Sequence, residues 1–325
     1  MRAPVLAVEE LTKIYRLTDW RAAKKEIRAT DGITFQLYRG QTLSIVGESG
    51  SGKSSLAKQL VGIEPPTSGR ILINNQDLAK VARKERRKAF QKIRMVFQNP
   101  HSSLNPHARI GATLEEPLKI NSKLDSKQRR ELVAEVLKKV GLRAEHTQRF
   151  PHMFSGGQQQ RIAIARALIL DPEVIVADEP LSALDVSVQA QILNLLMRLQ
   201  EELELSYVFI SHDLGVVEHI SDQVLVMYRG QMMEYGEVDQ IFDAPKHPYT
   251  RKLLSSTPSY RNTVKILKKT HTREFKDKAA VSSGCPFAAR CPYAKQQCIE
   301  SRPEVHNIDG QLVSCHWPLE SNAEG

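Results

Sequence analysis

The stretch Gly47-Glu48-Ser49-Gly50-Ser51-Gly52-Lys53-Ser54 decides the fold, because it satisfies the pattern G-x-x-x-x-G-K-[ST] between a predicted strand and a predicted helix. The strand is Thr42 to Val46, and the helical pattern runs from Gly52 to Val61. Glycines let backbone N–H groups approach phosphate oxygens, and the helix start adds a positive dipole end. The stretch therefore predicts a phosphate-binding loop in which Lys53 reaches the β- and γ-phosphates and Ser54 coordinates magnesium.

The elements around this loop predict an α/β fold. Val5 to Tyr15 and Gly32 to Leu37 are rich in β-formers, which indicates a β layer at the start of the chain. The apolar runs Val174 to Ala177 and Tyr207 to Ile210 are separated by the helical stretch Val188 to Leu203, as a parallel sheet with covering helices requires. We predict a P-loop NTPase (RecA-like) core with an N-terminal antiparallel β layer, a helical insertion and a cysteine-bearing C-terminal extension.

A second acidic motif completes the predicted nucleotide site. The apolar strand from Val174 ends with Asp178 and Glu179. In parallel α/β sheets, ligands bind at the carboxyl ends of the strands. Asp178 suits the role of holding the magnesium shell. Glu179 suits the general base that orients and deprotonates the attacking water.

A second loop also has phosphate-binding geometry. Ser155, Gly156, Gly157 and Gln158 precede the helical run Ile162 to Ile169, so they lie at a helix N-terminus. A nucleotide held by the phosphate-binding loop does not require a second loop of this kind from the same face of the same chain. The pattern therefore indicates that this loop serves a nucleotide held by another subunit.

The order and spacing of the three motifs resemble the ATP-binding cassette (ABC) family, with the phosphate loop as Walker A, Phe154 to Gln158 as the signature and Val174 to Glu179 as Walker B. Phe154 stands where the family often has leucine, which keeps the position apolar. The resemblance extends to an aromatic that stacks on adenine, a Q-loop glutamine that also reaches magnesium, the D-loop and a switch histidine: Tyr15, Gln98, Ser182-Ala183-Leu184-Asp185 and His212.

The resemblance implies a mechanism. Two cassettes pack head to tail, so that ATP on one chain is capped by the signature of its partner. Glu179 activates water while Lys53, magnesium and His212 stabilise charge on the γ-phosphate, with His212 as a positioning group. Together the nucleotide-binding positions are Tyr15, Gly47, Glu48, Ser49, Gly50, Ser51, Gly52, Lys53, Ser54, Ser55, Gln98, Ser155, Gly156, Gly157, Gln158 and Asp185.

Further stretches resemble the ATPase subunits of dipeptide and oligopeptide importers: Phe97-Gln98-Asn99-Pro100, Ser103-Leu104-Asn105-Pro106, Pro151 to Gly157, Ser206 to Leu214 and His247-Pro248-Tyr249-Thr250. The resemblance implies a paralogous second ATPase subunit in a heterodimer, two transmembrane permease subunits and a substrate-binding protein. The cargo is inferred only by analogy with these importers, because the permease and the substrate-binding protein determine which cargo is transported. Importers of nickel, haem precursors or antimicrobial peptides are alternatives, and a soluble cassette acting on nucleic acid is a weaker one.

Composition limits the location and the partners. No stretch approaches the roughly 18 uninterrupted apolar residues of a transmembrane helix, so we expect a soluble, cytoplasmic chain. The resemblance to importer ATPase subunits implies that this chain lies peripherally at the cytoplasmic face of the inner membrane. The formal charge of +9 is concentrated in Arg83 to Arg94 and Lys265 to Lys278. Both runs are interpreted as solvated helix faces, with attraction to anionic lipid headgroups or nucleic acid as the alternative, and we predict no nucleic-acid partner from charge alone.

We predict two domains: an ABC ATPase domain over residues 1–240, with a helical subdomain inserted at about 98–163, and a C-terminal extension over 241–325. The extension contains all four cysteines, Cys285, Cys291, Cys298 and Cys315, in the pattern C-x₅-C-x₆-C-x₁₆-C. This is not a usual zinc spacing, and proline after the first two cysteines is typical of iron–sulfur loops. The importers it resembles can carry a cluster here, so a [4Fe–4S] site is predicted; zinc or reduced thiols remain alternatives, and disulfides are disfavoured.

Overall fold

The computed structural model describes residues 3–17, 25–99, 104–256 and 283–320. Within these ranges the strands form one four-stranded and one eight-stranded sheet. The basic run Lys265 to Lys278 lies outside the described residues, as do Pro100 and Ser103 of the importer-like stretches.

The smaller sheet is the predicted N-terminal antiparallel layer. Its strands have the order β2-β1-β4-β5 and are β1 (Leu6–Leu17), β2 (Lys25–Leu37), β4 (Ser68–Ile73) and β5 (Gln76–Asp77). Every neighbouring pair in it is antiparallel. Its inner face buries Leu6, Val8, Leu11, Ile33 and Phe35 against the main sheet and its first helix, which confirms the predicted layer.

The larger sheet has the order β11-β12-β10-β9-β3-β8-β7-β6. Its strands are β3 (Thr42–Val46), β6 (Ile93–Val96), β7 (Val174–Asp178), β8 (Ser206–Ile210), β9 (Gln223–Tyr228), β10 (Gln231–Glu237), β11 (Val305–Ile308) and β12 (Gln311–Ser314). The five strands from β6 to β9 in this order are parallel. Their carboxyl ends therefore lie at one edge, where loops can build a common site.

Helices cover this sheet and form the predicted insertion. They are α1 (Lys53–Leu60), α2 (Arg83–Gln91), α3 (Ile110–Asn121), α4 (Ser126–Lys139), α5 (Gly156–Leu168), α6 (Val186–Leu203), α7 (Leu214–Ile220), α8 (Val238–Asp243), α9 (Pro248–Ser255) and α10 (Gln296–Glu300). Helices α3, α4 and α5 pack on each other through apolar residues such as Ile110, Leu114, Val133, Leu137 and Ile162. The helical insertion is thus present.

The C-terminal extension is joined to the core by a hairpin. Strands β11 and β12 pair with each other, and β12 pairs with β10 at Glu234↔Val313 and Tyr235↔Leu312. Glu234 is fully buried and accepts N–H groups from Lys246 and His247 at 2.6 and 3.0 Å. Because a buried polar group must be satisfied, this carboxylate fixes the start of the extension on the sheet.

Candidate functional site

Steric demands explain the glycines of the phosphate loop. The loop connects β3 to α1, and Gly52 has φ 103°. A Cβ on Gly52 would lie 1.9 Å from the Ala29 carbonyl oxygen, and one on Gly47 would lie 2.1 Å from that of Met227. Only glycine fits at these two positions, so the loop runs tightly between β2 and the end of β9.

Lys53 lies inside the curve of the loop and is only 7% exposed. Its ammonium donates to the carbonyl oxygens of Gly47 and Glu48 at 2.8 and 3.0 Å. Burial lowers the pKa of Lys53, while the nearby carboxylates of Glu179 and Asp178 act in the opposite direction. A desolvated cation held in this way gains a strong interaction from an incoming phosphate.

The two predicted acids lie opposite the loop at the end of β7. The Ser54 hydroxyl donates to Asp178 at 3.3 Å, so the predicted magnesium residues of the two motifs are in contact. Burial raises the pKa of the Asp178 carboxyl, because its charged form loses hydration there. Oxygen donors of this kind suit a magnesium ion, whose charge would favour the ionised carboxylate.

Gln98 and His212 converge on the second acid. The Gln98 amide donates to Glu179 Oε2 at 2.6 Å, and His212 Nδ1 lies 3.4 Å from Glu179 Oε1. Glu179 itself has a left-handed backbone with φ 46°, an uncommon conformation for a residue with a Cβ. Three side chains from the loops after β6, β7 and β8 are thus gathered at one point.

These residues share one cavity of about 680 Å³ with the phosphate loop. Its lining includes Lys53, Ser54, Ser55, Gln98, Glu179 and His212. A space of this size, lined by the Lys53 ammonium and the Glu179 carboxylate, suits a nucleoside triphosphate with its metal ion.

Sequence reasoning missed one wall of the cavity. Ile27, Arg28, Ala29 and Arg229 line it, but they belong to no motif. The predicted adenine-stacking residue Tyr15 pairs with Ile27 across β1 and β2, and its hydroxyl bonds to Glu64 and Ser55 beside the cavity. The register of β2 places its wall residues beside the phosphate loop. A register between distant strands has no local signal in the sequence.

The signature residues lie apart from this cavity. Ser155 caps α5 in a reciprocal capping box: its hydroxyl accepts the Gln158 N–H at 3.4 Å, and Gln158 accepts the Ser155 N–H at 3.1 Å. Asp185 is exposed at the start of α6. None of these side chains lines the chain's own 680 Å³ cavity. The helix N-terminus is therefore formed, but it lies outside the nucleotide cavity of its own chain.

The four predicted cysteines line a single small cavity of about 20 Å³, together with His247, Phe287 and Trp317. Burial raises the pKa of Cys291 to about 11 and that of Cys315 to about 12, and the neighbouring thiols add to both shifts. In the described ranges, however, no three His, Cys, Asp or Glu side chains have the arrangement of a single-ion site. The structure brings the sulfurs together without building the ligand shell of one ion.

The fold and the principal site define the class of the protein: a P-loop ATPase whose core is a cassette with a helical insertion. In agreement, the pattern described as "ABC transporter" matches residues 30–182. A second one, "Oligopeptide/dipeptide transporter, C-terminal region", matches residues 233–298.

Known proteins identify the family. The chain is 51% identical to the dipeptide transport ATP-binding protein DppF of Haemophilus influenzae, over 96% of each chain. It is 50% identical to the protein of that name from Escherichia coli, over 97% of this chain and 95% of the other. Among solved structures it resembles a dimeric ATP-binding cassette in a post-hydrolysis state with ADP and Pi (TM-score 0.63, 30% identity, 72% of this chain and 98% of that one).

The chain belongs to the ABC transporter family as one of its ATP-hydrolysing subunits, and it uses ATP and Mg²⁺. The predicted family and fold class are thereby confirmed. In the described residues, no helix has the length and apolar character needed to cross a bilayer.

Proposed function

We propose that this subunit drives the uptake of dipeptides or oligopeptides through a membrane transporter. The observation that carries the proposal is the match of residues 233–298 to the C-terminal region of oligopeptide and dipeptide transporters. Relatives named for dipeptide transport cover nearly the whole chain, which supports the same cargo class. Other cargoes, such as nickel, haem precursors or antimicrobial peptides, are the alternative, because the cassette does not select the cargo.

The proposed chemistry begins with MgATP on the phosphate loop. Lys53 binds the β- and γ-phosphates. Ser54, Asp178 and Gln98 would hold a magnesium ion, whose charge would neutralise phosphate charge and orient the γ-phosphoryl group. Glu179 accepts a proton from water as the water oxygen attacks the γ-phosphorus and the bond to the leaving ADP oxygen breaks. Its contacts with Gln98 and His212, at 2.6 and 3.4 Å, support this assignment, since they aim the carboxylate into the cavity.

The proposed catalytic unit is a head-to-tail pair of cassettes. The signature loop supports this, because its helix N-terminus suits a phosphate group and Ser155 is exposed, yet the loop does not line the described nucleotide cavity of its own chain. The dimeric solved relative is a second support. We infer that the partner is a paralogous ATPase and that Asp185 contributes at the shared interface. Tyr15 is proposed to stack on adenine at the rim beside Ile27.

The remaining proposed partners are two permease subunits and, through them, a substrate-binding protein. They would hold this chain at the cytoplasmic face of the inner membrane. The proposed division at residue 240 separates an ATPase domain, with its helical subdomain at about 98–163, from the extension 241–325. The hairpin β11–β12 joins that extension to the main sheet, so the two parts share one sheet.

Affinity purification of the tagged chain from detergent-solubilised membranes tests the proposed assembly. We expect two permease subunits, a second cassette ATPase and a peptide-binding protein, and we expect peptide to stimulate ATP hydrolysis by the purified complex. The chain with Lys53→Ala is a matched control, because its assembly should persist while stimulated hydrolysis disappears. Recovery of ribosomal or DNA-repair proteins without any membrane protein would contradict the transport function.

For the extension, we propose a [4Fe–4S] cluster held by Cys285, Cys291, Cys298 and Cys315, with a structural role. Convergence of four sulfurs on one cavity supports the donor set, because thiolates are the ligands of such clusters. Burial raises the pKa of these thiols, and the positive charge of bound iron would lower it. Zinc and reduced thiols are the alternatives, and the cavity of about 20 Å³ would have to widen to admit a cluster.

Anaerobic purification distinguishes these alternatives. We expect visible iron–sulfur absorbance and about four iron atoms per chain, as the cluster type requires. Cys298→Ser should remove both, whereas Ser301→Ala, on a nearby exposed residue, should leave both unchanged. A colourless chain with stoichiometric zinc, or with four titratable thiols and no metal, would contradict the cluster.

A further inference from the structure

The extension contacts the phosphate loop directly through Arg290. This residue ends the short 3-10 helix Ala288–Arg290, immediately before Cys291. Its Nη1 and Nη2 donate to the two carboxylate oxygens of Glu48, each at 2.7 Å. Glu48 is the second residue of the loop, so a bidentate ion pair joins two parts of the chain that are 242 residues apart.

Aromatic residues hold both sides of this ion pair in place. Arg290 also donates to the Tyr228 hydroxyl at 3.1 Å, and its guanidinium lies 5.7 and 5.8 Å from the ring centres of Tyr228 and Phe287. The Tyr249 hydroxyl accepts the Glu48 backbone N–H at 2.9 Å. Two residues of the extension, Tyr249 and Arg290, therefore hold the amide and the carboxylate of the same loop residue.

The position of Glu48 matters for the phosphate site. Its carbonyl oxygen accepts from the Lys53 ammonium at 3.0 Å, so a shift of Glu48 moves a partner of the cation that receives phosphate. The hydrogen bonds from Arg290 lower the pKa of Glu48, which is therefore ionised at neutral pH. Without the arginine, this negative charge at the edge of the site for the anionic nucleotide would be opposed only by the weaker effects of Lys252 and Arg229.

We propose that Arg290 is a positioning residue of the ATP site: it braces the phosphate loop through Glu48 and offsets the charge of that carboxylate. The inference rests on the proposed role of residues 47–54 as the ATP-binding loop. It makes the C-terminal extension a part of the nucleotide site.

Equilibrium titration of the purified full-length chain with MgATP tests this inference. Arg290→Ala should raise the Kd for MgATP about 3- to 10-fold, the range expected for a half-exposed charged pair at the site edge. Arg290→Lys keeps the positive charge but cannot form the bidentate pair with the carboxylate, so its Kd should be intermediate. Adding Glu48→Gln to Arg290→Ala should recover much of the loss, because the carboxylate that has lost its bidentate partner is then removed.

Arg302→Ala is the matched control. Arg302 donates to Asp31 Oδ2 at 2.8 Å, so it also joins the extension to the core, but without contacting the phosphate loop. We expect its Kd to stay within about twofold of the unaltered chain. Unchanged binding in Arg290→Ala, an equal loss in Arg302→Ala, or no recovery by Glu48→Gln would overturn the role of Arg290. Failure of the unaltered chain to bind MgATP would instead overturn the assignment of the loop.

Discussion

Glu179→Gln is expected to lower kcat for ATP hydrolysis about 10²-fold or more while the Kd for MgATP stays close to that of the unaltered chain. The amide keeps the shape of the side chain and can still meet Gln98 and His212, which lie 2.6 and 3.4 Å from the carboxylate. It has no basic oxygen to accept the proton of water. The Lys53 side of the cavity, which binds phosphate, remains intact. Steady-state phosphate release and MgATP titration measure the two quantities separately.

Glu201→Gln is the matched control for this substitution. Glu201 is exposed on α6 and does not line the 680 Å³ cavity, so the same chemical change there should alter neither kcat nor Kd. Retention of normal turnover by Glu179→Gln would remove Glu179 from the role of general base. Loss of MgATP binding in that variant would indicate a structural role for the carboxylate instead.

The parts of the site that the sequence predicts are those in which a short segment determines its own geometry. The loop from Gly47 and the strand before Asp178 each combine an apolar strand with residues fixed at its carboxyl end. Because parallel strands share an edge, the contact of Ser54 with Asp178 follows from two separate motifs. The N-terminal β layer and α6 were predictable for a similar reason, since periodicity records which face is buried.

The parts of the fold and the site that the sequence does not predict depend on pairing between segments that are distant along the chain. Strand β6 begins inside the basic run Arg83 to Arg94, which we interpreted as a helix face, and its pairing with β7 makes this short, mixed sequence a strand. The hairpin β11–β12 becomes part of the main sheet only through β10. The ion pair of Arg290 with Glu48 has no local signal, because each residue alone resembles any surface charge.

Gly156→Asp is expected to lower ATP hydrolysis about 10²-fold at the site that this loop caps, with little change in the stability of the chain. A Cβ at Gly156 would lie 3.6 Å from Leu184, which is ordinary contact distance, so the chain itself tolerates a side chain there. A carboxylate would repel the γ-phosphate of a nucleotide presented by the partner cassette. ATP hydrolysis by the assembled transporter and the Tm of the isolated chain measure the two effects.

Comparison with the next glycine separates a failure of assembly from a failure of folding. A Cβ at Gly157 would lie 2.5 Å from Val188 of the same chain, so Gly157→Ala should lower the Tm as well as the activity. The Gly156→Asp chain should keep the Tm and the MgATP affinity of the unaltered chain. In a Glu179→Gln background, where hydrolysis cannot reopen the pair, Gly156→Asp should prevent ATP-dependent association with the partner cassette. Normal association of that double variant would contradict the capping role of the signature loop, because the repelled phosphate would then have to lie elsewhere.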